Sequence, residues 1–428
     1  MDIIVLIVSL VILIMLGAPI ALAMIVLPTV YILLTGAAPL LTVPHQMYEA
    51  IAKFPLVAVP FFIFTGELMN SSSVTQRILR LCTVLVGRMP GGLAQVNIVA
   101  SLFFGGMNGS AVADTATIGT VLIPSMRRRG YSAAYAAAIT AISSTIGGIL
   151  PPSIAMIVLA SATNLSVGAV FASGILPGLL IGLLLMVTAF VIARIKGHER
   201  GDESFNVRAF FVSLRDAIMA LSVPAVLVVG IFGGWCSSVE GGAITSVVVL
   251  ALGVLVYRDL DFRLISGALE RSVRLSALVF VIIAAAGPFT WLLTRLGALG
   301  LLETWLLSFS GNQVAFTVAV MTVIFVAGLF MDATANVIVL GPLLVPACVT
   351  AGFAPVQAAL FVVVGFLLGT VTPPVGVCYF TAAAISSAKL ERTAIDLLPF
   401  LGVEVLVLFL ILLVGPLTLA LPTALGML

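Results

Sequence analysis

The sequence predicts an all-α polytopic membrane protein, and three observations support this prediction. Of its 428 residues, 62% are hydrophobic and only 8% are charged, whereas a soluble domain carries about 25% charged residues. The mean hydropathy is +1.30, which leaves too little polar surface to cover a water-facing globule. The charged residues also lie between long apolar stretches, as they do in chains whose helices cross a bilayer.

The composition also excludes several other classes of protein. A net charge of +2 is too small to indicate a nucleic-acid partner. The two histidines are far apart and the four cysteines show no paired spacing, so neither a metal centre nor a disulfide framework is indicated. An integral-membrane enzyme is the alternative class. It would need a clustered nucleophile, base or metal-ligand set, and the sequence shows no matching motif.

Apolar runs of about 20 residues or more are the candidate membrane spans. The central segments are shorter: 93–107 and 112–126 flank a polar stretch, and 131–149 ends at Pro151-Pro152 before 154–164 continues. A double proline breaks the helical hydrogen-bond ladder, which is tolerated at membrane depth only beside protein or a water-filled cavity. The long candidate spans are 3–34, 168–195, 217–236, 241–257, 275–293 and 395–421.

The same arrangement occurs twice in the chain, at an offset of 222 residues and without a gap. Under this register Pro151-Pro152 falls on Pro373-Pro374, and Asp114 falls on Asn336. Shared Gly, Ala and Leu are common in membrane proteins, but they do not explain an ungapped match of prolines and glycines. We therefore predict an internal repeat. The matched residues are Gly106, Gly119, Pro124, Gly130, Gly147, Pro151 and Pro152, with Gly328, Gly341, Pro346, Gly352, Gly369, Pro373 and Pro374.

Basic residues predict how the two units are oriented. Arginines at 77, 80 and 88 precede the first unit's segment 93–126, and 127–129 follow it, so both flanks should be cytoplasmic. Such a segment is a re-entrant hairpin. The corresponding turn of the second unit, 347–351, is uncharged and is predicted to lie outside. The units are thus predicted to be inverted repeats, with hairpins 93–126 and 313–346 and broken helices 131–164 and 353–388.

The hairpin tips and the helix breaks carry polar groups suited to a dehydrated ion. Half-helix C-termini and freed carbonyls coordinate cations, while half-helix N-termini favour anions. Hydroxyl, amide and carbonyl oxygens suit Na+. Glycine and serine also allow close helix packing, and we interpret Gly174, Gly178 and Gly182 in that way. The candidates are Asn108 and Ser110 facing 143–145 and 147–152, and Asp332, Thr334 and Asn336 facing 369–374.

Charged residues within apolar segments are costly and therefore candidates for function. Asp332 is predicted to be an ion ligand or to orient one. Asp114 is either a helix N-cap or a functional carboxylate, and Arg295 either reaches to the interface or clamps a carboxylate. The candidate solute-binding residues are Arg295, Asp114, Thr145 and Asn336. Glu67, Glu240 and Glu404 are assigned no role beyond structural pairing.

These blocks resemble the large membrane (M) subunit of tripartite ATP-independent periplasmic (TRAP) transporters. The resemblance covers essentially the whole chain. It rests on the stretches Pro60–Gly66, Gly105–Ala116, Gly147–Pro152 and Gly369–Pro374. It implies the ion-transporter fold, with a scaffold and an elevator-type transport domain. The implied domains are scaffold helices 1–90, first repeat 91–165, scaffold helices and loops 166–312, second repeat 313–388 and a C-terminal scaffold helix 389–428.

The resemblance further implies Na+-coupled import of an organic acid anion of the sialic acid or dicarboxylate class. The implied partners are a small four-helix membrane subunit, not fused to this chain, and a soluble periplasmic solute-binding protein. The implied location of this chain is the bacterial inner membrane. At least two Na+ ions and no organic cofactor are implied. A carboxylate carrier of the same superfamily that needs no binding protein is the alternative.

Ion ligands and one solute contact are carried over from the family residue by residue. The arginine that the sialic acid branch uses in carboxylate handling corresponds to Arg295. The first Na+ site maps onto Asn108, Ser110, Gly147, Leu150 and Pro152, and the second onto Asp332, Gly369, Thr372 and Pro374.

Overall fold

The structure is a computed structural model, and it describes residues 2–197, 207–309, 311–328, 331, 333–373 and 376–428. The described part of the chain is built from helices and contains no strand. The helices are α1 (Asp2–Met15), α2 (Ile20–Thr35), α3 (Thr42–Ile51), α4 (Ala58–Ser71), α5 (Val74–Val86), α6 (Gly92–Asn108), α7 (Ala111–Arg128), α8 (Ala133–Ile149), α9 (Ile154–Thr163), α10 (Val167–Lys196), α11 (Val207–Phe232), α12 (Ser238–Ala251), α13 (Phe262–Arg295), α14 (Ala298–Leu307), α15 (Gln313–Gly328), α16 (Ala333–Thr350), α17 (Pro355–Gly369), α18 (Val377–Ser386), α19 (Leu390–Leu413) and α20 (Gly415–Ala424).

The polytopic membrane architecture predicted from composition is confirmed. Among the described residues, seven helical segments are long and apolar enough to cross a bilayer, and α8 with α9, bent by 42°, would make an eighth. One of the seven is α16, whose 18 residues are enough to span if the helix runs along the bilayer normal. Large apolar side chains are exposed along α1, α2, α11 and α13, where lipid would contact them.

Two of the predicted single spans are wrong, because the chain breaks inside each of them. The run 3–34 divides into α1 and α2 at Gly17, whose φ is +86°. A left-handed φ ends a helix and is easiest for glycine, and Pro19 next to α2 lacks the amide that a continuous helix would need. The run 395–421 divides at Val414, where α20 begins with Gly415 and Pro416.

The two repeat units contain the same sequence of described helices. The first unit, α6 to α9, has a hairpin that turns at Gly109-Ser110 and a helix broken between Ile149 and Ile154. The second unit, α15 to α18, has the same order of helices. Each unit also packs its second half-helix on the hairpin of the other: α9 lies on α16, and α18 lies on α7. The two contacts are equivalent, because the offset of 222 residues relates α7 to α16 and α9 to α18.

The remaining helices form two groups around these units. Helices α2 to α5 pack with α11, α12 and α13. By contrast, α10 and α19 pack against α8 and α17 as well as against each other. The sequence-based division placed α10 and α19 with the scaffold, whereas their contacts group them with the repeat units. Since α8 and α17 are buried along nearly their whole lengths, they form the centre of this group.

The glycines of α10 have the packing role predicted for them. A Cβ atom added at Gly178 would lie 2.8 Å from Leu150 Cδ2, and one at Gly182 would lie 2.8 Å from Leu102 Cδ2. At Gly174 it would lie 2.6 Å from the carbonyl oxygen of Ile149. The stripe thus lets α10 lie directly against the point where α8 ends.

A surface ion pair joins α4 to α13 and gives Glu67 its structural partner. The Arg271 Nε donates to Glu67 Oε2 at 2.6 Å, and the Arg271 side chain is 53% exposed. Exposed pairs of this kind contribute less than about 1 kcal/mol. We therefore expect Arg271→Ala to lower the melting temperature by no more than a degree or two, as measured by scanning fluorimetry. A large fall would contradict this assignment.

Candidate functional site

The tip of the first hairpin lies on the break between α8 and α9. The Ile154 amide donates to the Gly109 carbonyl at 3.2 Å. A Cβ atom at Gly109, where φ is +63°, would lie 2.6 Å from the Pro152 carbonyl oxygen. One at Gly105 would lie 3.1 Å from the Gly147 Cα. Only glycines allow this approach, so the hairpin glycines and the double proline form one junction.

Asp114 lies at this junction, and the N-cap interpretation of this residue is wrong. Ser110 is the N-cap of α7, because its hydroxyl accepts from the Ala113 amide at 3.4 Å. Asp114 follows within the first turn and is fully buried. Its carboxylate lies against Gly147, where an added Cβ atom would come within 1.9 Å of Asp114 Oδ2. The structure therefore brings together two residues that the sequence analysis selected separately.

The helix ends at this junction carry both electrostatic polarities. The C-termini of α6 and α8 meet here, and helix C-termini attract cations. The N-termini of α7 and α9, which favour anions, begin at the same point and are both capped by serine. Ser153 accepts from the Met156 amide at 3.3 Å and donates to the Gly148 carbonyl at 2.5 Å. The break is therefore held by local hydrogen bonds.

The second junction has the same glycine contact at its centre. A Cβ atom at Gly369 would lie 3.2 Å from the Gly328 Cα, so the end of α15 touches the end of α17. After α17 the chain turns, and the Thr372 hydroxyl donates to the Leu368 carbonyl at 2.8 Å. The Cys378 amide of α18 donates back to the Thr370 carbonyl at 2.9 Å.

Asn336 differs from its repeat partner Asp114 in what it contacts. Its buried side-chain amide donates to the Met331 carbonyl at 2.8 Å and to the Ala327 carbonyl at 3.3 Å. It thus joins the two helices of its own hairpin, whereas Asp114 faces the broken helix. Within the described part of the chain, Asn336 Oδ1 is buried and has no hydrogen-bond partner.

The predicted Na+ ligands belong only in part to the described residues. Asp332 and Pro374 of the second Na+ site lie outside the described residues, as does the side chain of Asn108. Leu150 and Pro152 lie between the two half-helices of the first break, where Gly105 and Gly109 of the hairpin approach them. In the described parts of the sequence, no group of three or more His, Cys, Asp or Glu is placed to hold a metal ion.

A buried polar network on α8 was missed by the sequence analysis. Asn97 of α6 donates to the Thr140 hydroxyl at 2.7 Å and accepts from the Ser143 hydroxyl at 3.0 Å. One turn further, the Thr145 hydroxyl donates to the Glu404 carboxyl group of α19. Glu404 is 2% exposed. A carboxyl group in an apolar helix was visible in the sequence, but its partner 259 residues away was not.

Arg295 lies apart from both junctions. It is the last residue of α13 and exposed; it donates to the Ala37 carbonyl at 2.7 Å, and its guanidinium carbon lies 5.4 Å from the centroid of the Trp291 ring. These contacts are not with Asp114, Thr145 or Asn336. Glu240 also has a local role, since it closes a capping box with Ser237 at the start of α12.

Comparison with known families identifies one match that spans nearly the whole chain. Residues 7–417 match the family described as "Tripartite ATP-independent periplasmic transporter, DctM component".

Curated relatives cover most of the chain. The chain is 32% identical to the sialic acid TRAP transporter large permease protein SiaM of Vibrio cholerae, over 95% of both chains. It is also 32% identical to the C4-dicarboxylate TRAP transporter large permease protein DctM of Pseudomonas aeruginosa, over 89% of both.

Among solved structures, the YdaH transporter of Alcanivorax borkumensis superposes with a TM-score of 0.65. The match covers 87% of each chain at 15% identity. At this identity the likeness concerns the fold alone.

Proposed function

The chain belongs to the DctM family of tripartite ATP-independent periplasmic transporters, and from this premise we propose that it imports an organic acid anion by Na+ symport. The relatives named for sialic acid and for C4-dicarboxylates support a carboxylate as the solute. The protein is a multi-pass membrane transporter subunit, and we place it in the bacterial inner membrane.

The partners follow from the tripartite architecture of the family. A small membrane subunit and a periplasmic binding protein are expected to complete the transporter. We propose that the small subunit has four helices and that the binding protein delivers the solute to the outer face of this chain.

The observation that carries the proposal is the contact between each hairpin and a helix break. Glycine pairs hold the ends of two half-helices together at Gly105–Gly147 and at Gly328–Gly369. Two helix C-termini and two helix N-termini meet at the first junction and offset each other, so the Asp114 carboxylate gives it an excess of negative potential. Backbone and hydroxyl oxygens there would replace the hydration shell of Na+. The second junction would bind another Na+ through its turn at Thr370–Thr372.

The same arrangement supplies a reason for coupling. Na+ bound beside α6 and α8 would draw the solute carboxylate toward the capped N-termini of α7 and α9. Each ligand would then stabilise binding of the other, which is what symport requires. We propose that the repeat units move together with α10 and α19 as an elevator, and that α1 to α5 and α11 to α14 remain as the scaffold.

The direct test is uptake into proteoliposomes that contain this chain with its small subunit. We expect accumulation of the solute only with an inward Na+ gradient and the loaded binding protein. Equal uptake with K+ in place of Na+ would refute the coupling. Uptake of free solute without the binding protein would instead support the autonomous carrier.

The ion sites are tested by the pair of variants Ser110→Ala and Asp332→Ala. Each is expected to raise the Na+ concentration for half-maximal uptake by about ten-fold, since each removes one oxygen ligand. Unchanged Na+ dependence in both variants would remove the site assignment. Ser308→Ala, which removes an exposed hydroxyl at the end of α14, is the matched control.

A further inference from the structure

A cavity of about 370 Å³ lies away from the two junctions, between the scaffold helices α3 and α13 and the helices α9 and α16 of the repeat units. The cavity lies beside the C-terminal half of α13. The basic segment 258–274 at the other end of this helix is predicted to be cytoplasmic, so the cavity is predicted to lie on the outer side. The lining is polar on the scaffold side, where the residues include Gln46, Glu49, Lys53, Thr290, Trp291 and Thr294.

Lys53 is the cation of this cavity. Its amine donates to the Ser161 carbonyl at 2.8 Å, in the last turn of α9. An ammonium group has three donors, and this is its one hydrogen bond within the described chain. Burial lowers the pKa of Lys53, and the nearby Glu49 opposes this effect. The described residues place no carboxylate within ion-pair distance of the amine, so two donors remain for a ligand.

The other polar lining groups are neutral hydrogen-bonding groups and one carboxylate, and an indole ring and apolar side chains complete the lining. The Thr290 hydroxyl is buried and has no partner among the described residues, although buried hydroxyls are normally bonded. Glu49 is exposed on α3 and accepts hydrogen bonds only. Trp291 offers an apolar face of the kind on which a ring with C–H groups can lie.

We propose that this cavity is an outer vestibule for an organic acid that has one carboxylate and several hydroxyl groups. The proposal rests on the proposed import function and specifies its substrate class. Lys53 receives the carboxylate, while Glu49, Gln46 and Thr290 bond the hydroxyls. A dicarboxylate fits poorly, because its second charge would meet Glu49 and the described residues that line the cavity include no cation other than Lys53. Like-charge contacts of this kind provide selectivity against the wrong ligand.

The test is a fluorescence titration of the full-length chain, reconstituted in nanodiscs with K+ as the only alkali cation. Of the three tryptophans, Trp235 and Trp305 are replaced by phenylalanine, so that Trp291 reports on the cavity. The probes are D-glucuronate and succinate. We expect D-glucuronate to bind at least about ten-fold more tightly than succinate, because only succinate brings a second carboxylate to Glu49.

Three variants test whether Lys53 and Glu49 cause the expected difference in affinity between the two probes. Lys53→Gln should weaken D-glucuronate binding about ten-fold, while Lys53→Arg should retain most of it. Glu49→Gln should reduce the preference over succinate to about two-fold or less. Lys389→Gln, which removes a lysine at the start of α19, is the control and should change nothing.

Equal affinity for the two probes, or unchanged binding in Lys53→Gln, would overturn the proposal. Failure of the vestibule proposal and failure of the proposed function would give different experimental results. The titration contains no Na+, whereas the function is judged by whether uptake into proteoliposomes depends on Na+.

Discussion

Gly147→Ala is expected to abolish Na+-dependent uptake. The new methyl group would lie 1.9 Å from Asp114 Oδ2 and 2.8 Å from its Cγ, far inside contact distance, and the carboxylate is fully buried. Either the carboxylate turns away from Gly147 or the two helices shift, and both movements change the ion site at the junction. Overpacking of this kind costs about 3 kcal/mol, equivalent to about a hundred-fold in ion affinity. Uptake as a function of Na+ concentration measures the loss.

The control is the same substitution at Gly168, in α10. A Cβ atom there would lie 3.4 Å from Ile231 Cγ2, an ordinary contact, so Gly168→Ala should leave uptake unchanged. A second substitution, at Asp114, distinguishes the effect of steric crowding from the effect of losing the Asp114 charge. Asp114→Ser in the Gly147→Ala background removes the crowded carboxylate and should recover thermal stability without recovering Na+ affinity. Normal Na+ dependence in Gly147→Ala alone would show that Asp114 does not act at this junction.

Thr145→Val is expected to destabilise the protein more than most single substitutions in its helices. Valine has nearly the shape of threonine but no hydroxyl, and the hydroxyl of Thr145 is the hydrogen-bond donor to the buried Glu404. A buried polar group that loses its partner costs about 1–3 kcal/mol, and more if it is charged. The melting temperature of the purified chain should fall by several degrees, as measured by scanning fluorimetry.

Two further variants test the pairing itself. Thr145→Ser keeps the hydroxyl and should melt close to the unmodified protein. The double variant Thr145→Val with Glu404→Leu removes both partners and should recover much of the lost stability. If the two single substitutions add independently in the double variant, the bond between α8 and α19 is not what stabilises this region.

Local signals predicted the parts of the fold that local chemistry controls. A double proline breaks the helical hydrogen-bond ladder, and Gly109 takes a left-handed φ of +63°, so the break after α8 and the hairpin turn at Gly109 were predicted at the right positions. The divisions at Gly17 and Val414 were missed, although Pro19 and Pro416 mark them. Hydrophobicity is uninterrupted across both divisions, and an apolar run by itself does not distinguish one long span from two shorter helices.

Packing could not be predicted in this way. Nothing in the residues of α10 or α19 distinguishes a scaffold helix from one that lies against α8 and α17, since both types are apolar. The role of Asp114 was left open between cap and functional carboxylate for the same reason. The choice depends on whether Ser110 or Asp114 is the N-cap of α7, and on what lies opposite the carboxylate.

The sequence by itself determined the membrane class, the family, the repeat and the positions of both helix breaks, because these depend on composition and on residues close in the chain. Only the tertiary structure decided that Asp114 faces Gly147, that Glu404 binds Thr145, and that Lys53 meets α9 beside a cavity. Each of these contacts joins separate helices, and each depends on how those helices pack. Apolar side chains favour burial without specifying a partner, so such contacts follow from shape complementarity and from the requirement that buried polar groups be bonded.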